Sequence, residues 1–193
     1  MCPENGTLKN QFTFFVMLKG GDILRSGYIP KGEMEHILAA LTPPNRLACE
    51  ISLSSGLRIN DVLNLKPSQM LKRRFTIHEE KTGKTRIIYL PQELRTRALA
   101  CAGQHYVFEG RINGRQHRTR QAVYKDLRHA IDKFGVKKQI SPHSLRKIYA
   151  VEEFNRTGNL KHVQALLNHS SEAVTILYAM ANILEKKKNF RPL

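Results

Sequence analysis

The apolar residues of this chain change their spacing twice, and that limits the folds open to it. From Pro30 they recur at helical intervals, with Met34, Ile37, Leu38 and Leu41 on one stripe. Over residues 73–79 they alternate, Phe75 and Ile77 falling on one side, and residues 86–90 are rich in β-branched and aromatic types. Between these runs lies Glu80-Lys81-Thr82-Gly83-Lys84, a β-hairpin connection. The helical interval returns from Thr119 to Phe134, where Val123, Leu127, Ala130, Ile131 and Phe134 are in register and Gly135 is the stop. One hairpin among many helices predicts an α+β fold, a mostly helical domain around a small antiparallel β-sheet.

Local signals set the other boundaries. Pro43 and Pro44 end the first helix, and a second is expected from Asn45 to Ser54, closing near Gly56. A third, short helix carries Val62, Leu63 and Leu65, with Arg58 at its entrance. Ser141-Pro142 starts another, the serine as N-cap and the proline at the first helical position, running toward Gly158. Further helices are expected over Leu160–Leu167 and from Ser171 to about Lys187. A length of 193 residues fits one domain. Residues 1–28 are weakly patterned and read as a leader or linker remnant. The apolar run from Phe12 to Leu18 falls far short of the roughly 20 residues that span a bilayer, and no signal peptide is visible. Cys2, Cys49 and Cys101 have no spacing for a disulfide framework or a zinc ribbon, which favours a reducing, cytoplasmic compartment.

Charge narrows the partners. The chain carries 32 Lys or Arg against 16 Asp or Glu, a formal net charge of +16, and such a balance favours polyanions such as nucleic acid. Its excess is concentrated in residues 66–128, which include Lys72, Arg73, Arg74, Lys81, Lys84 and Arg86 around the hairpin and Arg111, Arg115, Arg118 and Arg120 in a polar loop. A solvated basic face kept for solubility is the plain alternative.

Several familiar motifs fail. Gly83-Lys84-Thr85 resembles the end of a phosphate-binding loop, but His78 stands where the earlier glycine is required. The histidines and the acidic pairs Glu79-Glu80 and Glu152-Glu153 lack metal-ligand spacing, so no metal and no cofactor is expected. Two stretches are more informative. In Ser141-Pro142-His143-Ser144-Leu145-Arg146, His143 and Arg146 lie three apart at a helix N-terminus, where free amides and the dipole favour an anion such as phosphate. In the second, Leu166-Leu167-Asn168-His169 precedes a helix on which Tyr178 borders the apolar stripe and is free to point into a cleft or to pack as a buried tyrosine. The helix pair around His169 also passes for a helix-turn-helix.

Taken in order, Gly56-Leu57-Arg58-Ile59-Asn60-Asp61, the Lys81 hairpin, His143-x-x-Arg146, His169 and Tyr178 resemble the tyrosine recombinase, or phage integrase, family over roughly residues 30–185. The resemblance implies that Arg58 and Arg146 hold a scissile DNA phosphate, that Asp61 steadies Arg58, and that Lys81 protonates the leaving 5′ oxygen, Lys84 being the weaker candidate. It further implies that His143 moves a proton, that His169 contacts the phosphate, and that Tyr178 is the nucleophile. Residues 29–193 are then the catalytic domain with its C-terminal tail. The N-terminal helical domain usual in the family is missing, so a catalytic fragment and a naturally short member like the fimbrial-switch invertases are both open. Asn168 stands where Gly is frequent, and Lys147-Ile148 replace the usual His-Thr or His-Ser.

The implied chemistry suits these residue types. Two guanidiniums match the charge developing on phosphoryl oxygens without a metal, and a tyrosine with an ordinary pKa of about 10 needs a base or positive potential to attack. Double-stranded DNA is the expected substrate, its backbone gripped by Lys72, Arg73, Arg74, Lys84, Arg86, Arg115, Arg118 and Arg120 with salt-sensitive affinity. The resemblance also implies a homo-oligomer, a tetramer on DNA, with Ala179–Leu193 either docking on a neighbouring subunit or forming a solvated tail. It leaves room for a host DNA-bending protein, gives no role to a membrane, and implies a cytoplasmic, nucleoid-associated protein. A non-catalytic DNA-binding regulator and a type IB topoisomerase are the competing readings.

Overall fold

A computed structural model describes residues 27–167 of the chain. Helix α1 (Lys31–Ala39) buries Met34, Ile37 and Leu38, three of the four residues of the expected stripe, and Leu41 follows as a buried residue just beyond it. Helix α2 (Pro43–Ser55) starts two residues earlier than the sequence indicated. Proline lacks the amide hydrogen that a first-turn residue leaves unused, so Pro43 and Pro44 open α2 as well as separating it from α1. Helix α3 (Ile59–Leu63) and the single turn α4 (Pro67–Met70) lead to the hairpin.

Strands β1 (Arg74–His78) and β2 (Thr85–Tyr89) form a two-stranded antiparallel sheet, with Phe75 opposite Ile88 and Ile77 opposite Arg86. Both strands alternate exposed and buried positions, so Phe75, Ile77 and Ile88 enter the core while Thr76, Ile87 and Tyr89 face outward. Such burial contributes roughly 1.5–3 kcal/mol for each large apolar side chain.

After the sheet come α5 (Gln92–Cys101), α6 (Arg120–Lys133), α7 (Pro142–Thr157) and α8 (Leu160–Leu167). Helix α5 is not foreseen from the apolar pattern, because only Ala98 of its ten residues is buried and no apolar stripe forms. Helix α2 lies at the centre, packing on α1, α3, α5, α6 and α7. The core runs from Ile51 and Val62 through Leu127 to Leu145 and Ile148. A smaller cluster of Ala150, Val151, Val163 and Leu167 fastens α8 to α7. Among the described residues no helix is long and apolar enough to cross a membrane. The helix expected from Ser171 to Lys187 lies outside them.

Candidate functional site

The turn between α2 and α3 is built to hold an arginine in one place. Gly56 adopts a left-handed conformation (φ 66°) at the end of α2, and a Cβ there would lie 2.3 Å from the Tyr149 ring. Only glycine meets both demands. The Ser52 hydroxyl donates to the Leu57 carbonyl at 2.7 Å, and Leu57 is fully buried, so the chain enters α3 along one path. Arg58 follows as the N-cap residue of α3. Its Nη1 donates to Glu79 Oε2 at 2.8 Å.

One turn on, Asp61 is buried and its Oδ1 accepts the Glu80 amide at 3.1 Å, which joins α3 to the start of the hairpin turn. Burial pushes the Asp61 carboxyl above the ordinary carboxylate range, with the nearby Glu79 adding to it and the Glu80 amide, Arg58 and Arg146 opposing it.

The start of α7 brings in two more groups. The Ser141 hydroxyl caps it by accepting the His143 amide at 3.3 Å, and Ser144 Oγ accepts the Ser141 amide at 3.2 Å. His143 is half-buried on this first turn, and Arg146 is completely buried one turn below it. The two terminal nitrogens of Arg146 donate to the Gly56 and Leu167 carbonyls. One guanidinium therefore ties the α2–α3 turn, α7 and the end of α8 together. Lys147, at a position where the family pattern differs, is buried, and burial pulls its ammonium below the ordinary lysine range.

The hairpin supplies the opposite wall. Its neck is closed by Glu79 N donating to the Lys84 carbonyl at 3.0 Å and Gly83 N donating to the Glu79 carbonyl at 2.9 Å. Gly83 supplies the positive φ of the turn (65°), and Lys81 is exposed at its tip. These parts form an open cleft of about 960 Å³ lined by Arg58, Asp61, Lys81, His143 and Arg146, with Arg120 and Tyr124 of α6 on a further side. Four separate stretches of sequence thus deliver the expected residues to one space. Helix α6 reaches it because Thr119 caps its first turn, accepting the Ala122 amide at 3.2 Å.

The remaining expected residues divide. Lys72, Arg73, Arg74, Lys84 and Arg115 are exposed, and Arg118 is half-buried; none of them lines the cleft. Arg86 corrects the sequence reading. It is buried behind the cleft, donating to the Ser55 carbonyl at 2.6 Å and lying 3.8 Å from Glu79, and therefore cannot grip a DNA backbone from that position. The alternation that sends Ile88 inward sends Arg86 inward too. Sequence reasoning also passed over Glu79, whose side chain continues the inward series Phe75, Ile77, and over Tyr124 and Gln121 on the cleft wall. His169 and Tyr178 lie outside the described residues. Among those residues no group of three His, Cys, Asp or Glu side chains has the geometry of a metal site.

A family model described as the phage integrase family matches residues 28–184. The chain is 26% identical over 161 residues to a tyrosine recombinase of Thermosipho africanus, covering 78% of this chain and 56% of that protein. It is 31% identical over 131 residues to the probable integrase/recombinase YoeC of Bacillus subtilis, covering 65% of this chain and 71% of that one. The chain thus spans little more than half of the Thermosipho relative, and 49% of a tyrosine recombinase XerD of Lacticaseibacillus casei that is 30% identical. In fold it is similar to the crystal structure of XerA recombinase (TM-score 0.64, 21% identity, 86% of this chain and 66% of that one). It is likewise similar to a lambda integrase dimer bound to a COC′ core site (TM-score 0.65, 20% identity, 80% and 59%).

Proposed function

Since the chain belongs to the phage integrase family, we propose that it is a site-specific DNA recombinase that cuts and rejoins strands through a 3′-phosphotyrosyl link to Tyr178. The observation that carries this reading is the convergence of Arg58, Lys81, His143 and Arg146 on one cleft from stretches far apart in sequence. Arg58 and Arg146 hold the non-bridging oxygens of the scissile phosphate and stabilise the charge that builds on them. Arg58 is held by Glu79 before DNA arrives and has little to reorganise, whereas Arg146, wholly buried with its terminal nitrogens on two carbonyls, has to be uncovered before it meets the phosphate.

In the forward step Tyr178 attacks phosphorus, His143 takes part in moving its proton, and Lys81 gives a proton to the departing 5′ oxygen. A free 5′-hydroxyl and a 3′-phosphotyrosine result. The bond energy stays in that link, so attack by another 5′-hydroxyl reseals the strand without ATP or a divalent ion. His169 completes the phosphate contacts, Asp61 supports Arg58 from the next helical turn, and the exposed residues Lys72, Arg73, Arg74, Lys84, Arg115 and Arg120 hold the backbone alongside Arg118. Strand exchange between two duplexes calls for several protomers, and the relatives solved on DNA include a lambda integrase tetramer bound to a Holliday junction. We therefore extend the proposal to a homo-oligomer on DNA, with residues 29–193 as its catalytic domain.

The test uses nicked suicide duplexes tiled across the DNA flanking the native gene, incubated with the full chain in chelator. A denaturant-resistant protein–DNA band is expected on one of them, and Tyr178→Phe should abolish it. A wild-type protein that joins none of these duplexes sinks the reading. A band that Tyr178→Phe retains would move the nucleophile elsewhere.

A further inference from the structure

We infer that Glu79 is a positioning residue that couples the Arg58 guanidinium to the turn carrying Lys81, so that the phosphate clamp and the proton donor are set by one buried carboxylate. The inference rests on the roles proposed above for Arg58 and Lys81.

The Glu79 side chain has no solvent exposure. A charge so placed is tolerated only where partners surround it, and each partner here belongs to a different part of the site. Oε2 accepts Arg58 Nη1 at 2.8 Å and Thr82 Oγ1 at 3.0 Å. The same oxygen therefore binds the first arginine of the cleft and the residue next to Lys81. Oε1 faces Arg86 Nη1 at 3.8 Å, and Arg86 is itself anchored by its hydrogen bond to the Ser55 carbonyl, next to Gly56. Glu79 also closes the neck of the hairpin through its own backbone amide and carbonyl. The turn cannot shift without moving Glu79, and Glu79 cannot move without turning Arg58.

This arrangement answers a difficulty in the chemistry. Lys81 is exposed on a short hairpin, where a long flexible side chain samples many positions. A proton donor is effective only within hydrogen-bond reach of the oxygen it serves. Tying the turn to the residue that holds the phosphate places the donor relative to the phosphate itself. Thr82 supplies the tie and Arg58 the reference point. A carboxylate shared with Arg58 also withdraws part of the positive potential that the phosphate would otherwise feel, so the gain lies in orientation rather than in charge.

The two halves of this coupling are separable by the leaving group. A duplex whose scissile 5′ oxygen is replaced by sulfur releases a thiolate, which departs without a proton, so cleavage of it needs no general acid. The substrate is the duplex on which wild-type protein forms its Tyr178 band, in paired 5′-oxygen and 5′-sulfur forms, and the variants are Glu79→Gln, Thr82→Val and Lys81→Ala in the full chain. Thr82→Val removes the hydroxyl's bond to Glu79 and its bond from the Lys84 amide, both of them within the hairpin and neither on Arg58; it should slow cleavage of the oxygen duplex by about 10- to 100-fold, the size of one hydrogen bond to a charged group, and cleave the sulfur duplex at the wild-type rate, as Lys81→Ala should. Glu79→Gln should be slow on both duplexes and recover only in part with sulfur, because Arg58 is also released. Thr82→Val at the wild-type rate on oxygen, or equally slow on both, overturns the coupling, as does a folded Glu79→Gln that cleaves normally. If Glu79→Gln does not fold, Thr82→Val decides alone. Failure of wild-type protein to form the covalent band is a different result, and it removes the recombinase reading instead.

Discussion

Asp61 and Arg86 are charged side chains of types usually found on the surface, and both are buried, Asp61 in the wall of the cleft and Arg86 behind it beside Glu79. They have different consequences for stability. Burial raises the Asp61 carboxyl pKa, so the folded chain binds its proton more tightly than the unfolded chain does. Its contribution is then fully present below the ordinary carboxylate pKa and is lost as pH rises through the raised value. Asp61→Asn keeps an oxygen for the Glu80 amide and removes the buried charge. It should melt at a higher temperature than wild type near about pH 7, and the gap should close as the pH falls below about 4. Thermal melts across that range test this, and a variant less stable at every pH would contradict it. For Arg86 burial lowers the guanidinium pKa, while Tyr149 and Glu79 raise it. Its place on the inner face of β2 gives it a structural part that its charge alone would not have indicated.

At the scale of elements, the site depends on how helices are fastened to one another. Asp126 on α6 accepts the Thr42 amide at 3.0 Å, the Thr42 hydroxyl at 2.7 Å and Asn45 Nδ2 at 2.7 Å, which fixes α6 against the first turn of α2. Partial burial works to raise this carboxyl, but the bonds from Thr42 and Asn45 together with Arg118 outweigh it and hold the pKa below the ordinary range. A depressed carboxylate contributes its stability above the unfolded value and loses it as pH falls through the folded value. Asp126→Asn should therefore destabilise the chain by about 1–2 kcal/mol at neutral pH, a figure reduced for partial exposure, and match wild type in acid. Urea melts at neutral and acid pH measure the difference. Because α6 carries Arg120 and Tyr124 to the cleft, the same variant should weaken DNA cleavage more than its stability loss explains.

The whole molecule presents its excess of 16 positive charges unevenly, and the structure sorts basic residues that look alike in sequence. Exposed Arg120 lies on the cleft wall, whereas buried Arg86 lies behind it. Removing one side chain that neutralises a phosphate should reduce the slope of log affinity against log salt by about 0.9. Arg120→Ala should flatten that slope by about this amount, whereas Arg86→Ala should leave the slope unchanged and lower the melting temperature. Equal slopes for wild type and Arg120→Ala would remove Arg120 from the DNA surface. Elements with a strong period or cap were legible along the chain before any packing was known: the α1 stripe, the hairpin, α6 with its stop at Gly135, and α7 opening at Ser141-Pro142. These depend on residues a few positions apart, where backbone sterics and side-chain spacing act directly. The ordered set of motif residues from Arg58 to Arg146 was legible only through its resemblance to the family. It took the packed molecule to establish that Arg58 leans on Glu79, that Arg146 joins the Gly56 turn to the end of α8, and that one basic residue of the hairpin faces inward. Those facts follow from which surfaces meet when the helices pack around α2, and hydrogen bonds between residues 21 to 90 positions apart leave no periodic trace along the chain.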